Sequence, residues 1–188
     1  MNSMNMFVKM SASFLVCLGY ASLSAQAAID QPHRNVSSQQ QTSIALQAAN
    51  ESKLINENLS LLIKNGAFAR KIATKVGASV PAATIPTTGT PMEQCQVMIL
   101  QNQQVFRGLA DKLGATGAPM SEVNSTDPAE KGYQLLMVNK GIVVSILKKL
   151  GIKPTPPTLT GSFVQKSNTL LKANAATLSK IATKLGVS

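Results

Sequence analysis

The chain has 188 residues, with 18 Lys and Arg against 8 Asp and Glu and a formal net charge of +10. One His, two Cys and no Trp exclude a disulfide-dense scaffold and a histidine-rich metal centre, and they leave a core of Leu, Ile, Val, Ala and Met. The basic excess favours anionic partners.

Residues 1–27 read as a secretory signal peptide. Lys9 stands in a polar start, an apolar run follows through Phe14, Leu15, Val16 and Leu18, and Ala25-Gln26-Ala27 forms a small-x-small cleavage site. Bulky Val16 argues against lipoprotein processing at Cys17. No later apolar run approaches the roughly 20 residues of a membrane span. The expected mature protein starts near Ala28, is exported to the periplasm or the cell exterior, and does not span a membrane. Removing Lys9 leaves 17 basic residues against 8 acidic ones, a net charge of +9. Cys95 is then the lone cysteine, so an internal disulfide is ruled out. Residues 28–37, which include His33, read as a flexible segment before a helical bundle domain over 38–188.

A Lys-apolar-Gly signature occurs four times, as Lys75-Val76-Gly77, Lys112-Leu113-Gly114, Lys149-Leu150-Gly151 and Lys184-Leu185-Gly186. The glycines are 37, 37 and 35 residues apart, a spacing expected of internal repeats. Alignment on them stacks Ile72, Leu109, Ile146 and Ile181 five residues earlier, and Asn65, Asn102, Asn139 and Asn174 twelve residues earlier. Leu61, Met98, Leu135 and Leu170 stand sixteen earlier. Each glycine reads as a left-handed helix stop, with the preceding lysine facing the negative helix end.

The first helix lacks a cap at the aligned position, where Lys53 stands. Its apolar periodicity extends back through Ile55, Ala48 and Ile44, so it is expected to start near Ser38, with Ser37-x-x-Gln40 as capping box or with a break at Asn50–Ser52. Thr90, Asp127 and Ser162 are the expected N-caps of three further helices, about 91–113, 128–150 and 163–185. Glu93, Glu130 and Gln165 stand at capping-box spacing, and Pro91 and Pro128 at the first helical position. The fold class is therefore all-α, a four-helix bundle of four ~37-residue helix-plus-loop repeats with the first helix longest. Loops 78–90, 115–127 and 152–162 permit parallel or antiparallel neighbours, and packing habits favour an up-down bundle.

On a helical wheel, Asn65, Asn102, Asn139 and Asn174 interrupt the apolar stripe at mid-helix. The structural expectation is a central polar layer in which the four amides bond one another or shared water and set the helix register. The functional alternative is a polar pocket for a small ligand.

Reaction chemistry is sparse. His33 has no carboxylate cluster beside it, Cys95 reads as a small buried hydrophobe, and no opposed carboxylate pair or phosphate-cradling loop stands out. The expectation is a non-enzyme without cofactor or metal. Positive charge gathers near the glycines in Arg70, Lys71, Lys75, Arg107, Lys112, Lys148, Lys149, Lys153, Lys180 and Lys184, with Asp111 the one acid in those windows. These ten are the expected anion-binding residues, suited to phosphorylated lipid headgroups at a membrane surface, as for a bacterial effector. Nucleic acid is disfavoured because no aromatics accompany the lysines for stacking. The contrasting expectation is a periplasmic or surface structural protein that docks a protein partner through its long first helix.

Overall fold

A computed structural model describes residues 38–115 and 122–187. These form four α-helices and no strand: α1 (Ser38–Lys75), α2 (Pro91–Leu113), α3 (Pro128–Lys149) and α4 (Phe163–Lys184). The signal segment, residues 28–37 and the expected Ser37 cap lie outside the described residues. The chain divides into two compact units, Met1–Ala45 and Leu46–Ser188. The described part of the first is the opening of α1. The second holds the rest of α1 and the other three helices, and it forms an all-α bundle.

α1 continues through Asn50–Ser52 without a break, for 38 residues. The later helices start on their expected caps. Thr90 and Ser162 each accept the amide three residues on and are answered by the side chains of Glu93 and Gln165, closing two capping boxes. Asp127 caps α3 by accepting from Ala129 and Glu130 amides. Its box stays open, because the Glu130 carboxylate instead accepts from the Ser125 hydroxyl at 2.8 Å. All four helices stop on a glycine with φ between 63° and 73°, and the following residue returns its amide to a carbonyl five back: Ala78 to Ala73, Ala115 to Ala110, Ile152 to Leu147, Val187 to Ala182. That bond satisfies a carbonyl the helix end would otherwise orphan.

The helices run parallel, which corrects the up-down order that packing habits favour. Cys95 Sγ donates to Ile55 O of α1, and Asn58 Nδ2 of α1 donates to Val164 O of α4. Both donors stand nineteen residues before their own glycine, and both acceptors twenty-two before theirs. In an up-down pair the nineteenth residue would face one about five before the glycine instead. The two apolar clusters agree. One gathers the C-terminal halves of all four helices around Ile72, Leu109, Ile146 and Ile181, and the other gathers N-terminal halves around Leu62, Met98, Leu135 and Leu170.

Parallel order obliges each loop to travel back a helix length, about 34 Å at 1.5 Å per residue. The first loop does so along α2. The Ser79 carbonyl passes 2.6 Å from where a Cβ on Gly108 would stand, Thr84 exchanges two hydrogen bonds with Gln101, and Gln94 donates to Thr88 and Gly89 carbonyls. Side-chain amides thus satisfy loop backbone that has no ladder of its own. Val123 and Leu159 of the later loops pack on the N-terminal cluster, and Ile152 on the C-terminal one.

Candidate functional site

Three of the four aligned asparagines are buried between the two apolar clusters, Asn65, Asn102 and Asn139 at 4, 2 and 1 % exposure. They do not bond one another, as a converging layer would require. Each donates Nδ2 to a main-chain carbonyl of the neighbouring helix: Asn102 to Leu62 at 2.9 Å, Asn139 to Ile99 at 3.0 Å, and Asn65 to Leu171 at 2.9 Å. In glycine-aligned terms every acceptor stands three residues before the donor's level. The physical reason is reach: a short Asn side chain on a tightly packed parallel neighbour meets the next helix's backbone before it meets another amide. Asn174 departs from this pattern. It is half-buried and takes no such bond. Asn102 Oδ1 and Asn139 Oδ1 are buried without a protein partner.

Sequence reasoning missed the acceptors, because a main-chain carbonyl leaves no signal in residue type. It also missed a second polar contact, in which Asn168 Nδ2 donates to Asn58 Oδ1 at 2.9 Å. Glycine alignment carried a trace of it: Asn58, Cys95, Gly132 and Ser167 share one column, all small or polar and all buried. Burial pushes the Cys95 thiol up to about 11, so it stays protonated and unreactive near neutrality.

Parallel order brings the basic residues to the C-terminal end of the bundle. Lys71, Lys75, Lys112, Lys148, Lys149, Lys153, Lys180 and Lys184 are exposed there, and Arg107 is half-buried. Neighbouring helix ends lie close together here. Lys112 Nζ lies 3.7 Å from where a Cβ on Gly77 would stand, and Lys149 Nζ equally close to that of Gly114. Arg70 is the exception. Its guanidinium turns back along α1 and donates to Gln101 at 3.5 Å, with Nε buried and unpartnered, and desolvation lowers its pKa.

Charge arithmetic decides whether this end is cationic. Four parallel helices bring four negative dipole ends together, about half a charge each and so about two in total. Nine basic side chains remain without Arg70, and Asp111 subtracts one, leaving +8 against about −2. The lysines exceed what capping the helix ends requires.

The remaining candidates carry less. An open cleft of about 770 Å³ runs beside Glu122–Thr126 with Glu130, Gln134 and Gly141 of α3, and its two carboxylates repel an anion. Among the described residues there is no group of three potential metal ligands, and no helix is long and apolar enough to cross a membrane. No family model, no curated protein and no solved structure matches this chain.

Proposed function

We propose that this chain is an exported, non-enzymatic bundle of four helix-plus-loop repeats that binds an anionic ligand at its basic end. Phosphorylated membrane-lipid headgroups are the ligand class the charge suits best. One observation carries the reading: the parallel order of α1–α4, which collects lysines from four separate windows at one end and faces them to solvent. Exposed ammonium groups on independent helices form an adaptable cluster of point charges, which matches a compact multivalent phosphate better than a long polymer.

Co-sedimentation of residues 28–188 with neutral, phosphatidylserine and phosphoinositide vesicles tests the proposal. The expected result is phosphoinositide-selective binding that persists at physiological salt. Reversing two charges in Lys148→Glu/Lys149→Glu should weaken it at least about tenfold, since each basic residue near an anionic surface contributes about 1 kcal/mol. Binding to every anionic vesicle that disappears with salt, or no binding at low salt, would refute a headgroup site.

A second reading rests on α1. Ile44 and Leu46 are 57 and 62 % exposed, and residues 46–53 are exposed throughout. A helix segment with uncovered large apolar side chains suits docking of a protein partner. Under this reading Ile44→Ser/Leu46→Ser leaves vesicle behaviour untouched and abolishes partner capture.

A further inference from the structure

The α3–α4 seam differs from the other three. Among the described residues no hydrogen bond joins α3 to α4, and Asn174, aligned with the three bonding asparagines, leaves both its donors and its acceptor free. The carbonyl that its position would reach, Leu136 O, receives no side-chain amide. In place of the bond the seam holds a cavity of about 120 Å³. Leu147 of α3 and Ala173 of α4 form its apolar sides, and Pro156 and Pro157 of the loop 150–162 form a third wall. Four polar side chains also line it: Lys140 and Asn174, both half-buried, Thr155, which is exposed, and Thr177, whose hydroxyl already donates to Ala173 O at 2.9 Å.

Each feature bears on what would fit. The volume approaches the roughly 150 Å³ that admits a benzene-sized molecule, so a ligand of about six to eight non-hydrogen atoms is indicated. Proline rings fix φ and bring no N–H, which makes the loop wall stiff and leaves Thr155 as its one residue with donors. Lys140 of α3 and Asn174 of α4 both line the cavity and carry an ammonium and an amide N–H, the kinds of donor that a carboxylate accepts from. The cavity lies at mid-helix, away from the basic end, and does not depend on the headgroup reading.

We propose that this seam is a binding site for a small carboxylic acid with a branched or cyclic apolar body. The body lies between Leu147, Ala173 and the prolines, and the carboxylate meets Lys140 and Asn174. The bond missing from the fourth seam is thereby replaced by a ligand that spans the same two helices.

Nuclear magnetic resonance titration of the labelled protein with isovalerate, isoamyl alcohol and isoamylamine tests this, because the three share one apolar body and differ in the head. Isovalerate should saturably shift resonances of Leu147, Ala173 and Thr177 with a Kd of ~1 mM, as befits so few atoms. The alcohol and the amine should bind at least about fivefold more weakly, the ratio given by a partly exposed ion pair of about 1 kcal/mol. Lys140→Met, which keeps the apolar stem of this half-buried side chain and removes its charge, should erase that preference. Ala173→Leu should abolish binding by filling the cavity. Absence of saturable shifts, equal binding of the three probes, or an unchanged preference in a folded Lys140→Met protein would each overturn the site.

Discussion

Gly66 stands inside the C-terminal half of α1, where a glycine costs about 1 kcal/mol relative to alanine. Its justification lies on the facing helix: a Cβ there would overlap Asn102 Oδ1. The missing methyl makes room for the amide that bonds Leu62 O, so the two residues act as one feature. Gly66→Ala should therefore destabilise the protein by about 1–3 kcal/mol in spite of the better helix propensity, because the overlap has to be relieved by moving a buried side chain. Asn102→Ala alone should cost about 2–3 kcal/mol through the lost bond and the space left behind. The double variant should be less destabilised than the sum by at least about 1 kcal/mol, since truncating the amide removes the atoms that the new methyl group would overlap. Urea denaturation of the four proteins measures the coupling. Additive effects would show that the pair does not interact.

At the scale of single helices, the starts of α2, α3 and α4 solve the same problem in two ways. Thr90 and Ser162 close a reciprocal box with Glu93 and Gln165. Asp127 takes two amides by itself, and its charge also faces the positive end of the helix dipole. Loss of Asp127 should thus cost more than loss of Thr90: about 1–2 kcal/mol for Asp127→Ala and about 1 kcal/mol for Thr90→Ala. The same division predicts where amide exchange accelerates. Glu93→Ala should expose the Thr90 amide, which donates to Glu93 Oε2 at 2.7 Å. Glu130→Ala should instead loosen the Ser125 turn and leave the cap bonds to Asp127 in place. Hydrogen exchange read residue by residue separates the two: the amides of residues 129 and 130, which donate to Asp127 Oδ1, should keep their protection in Glu130→Ala, and their loss would contradict a cap that works without Glu130.

For the whole molecule, parallel order is the feature from which the rest follows. It forces loops to span the helix length, stacks N-terminal and C-terminal apolar halves into separate clusters, and gathers the lysines. A short amine-reactive crosslinker should join Lys112 to Lys149 and Lys75 to Lys112, residues at neighbouring helix ends. An up-down bundle would separate each of these pairs by about a helix length, roughly 34 Å, and would give neither link. Mass spectrometry of the digested, crosslinked monomer decides the matter.

Most of the helical content was legible along the chain. Capping residues, prolines at the first turn and glycines at the stops are local devices, each acting within a few residues, so Thr90, Asp127 and Ser162 and the four glycines marked their helices without knowledge of any neighbour. The mid-helix asparagines were legible too, since an amide on an apolar stripe is visible from periodicity. Their partners were not: Asn102 reaches a carbonyl 40 residues away, and a carbonyl is the same in every residue. Direction was undecided for a related reason. Asn at the midpoint of a helix meets its counterparts in either order, and loops of this length reach in both. Sequence alone determined that the described chain is all-α with four helices, which caps start the last three, and which residues carry the charge. The tertiary structure decided that the helices are parallel, that Arg70 leaves the basic cluster, and that Asn174 is unbonded, because each of these depends on which helix lies beside which.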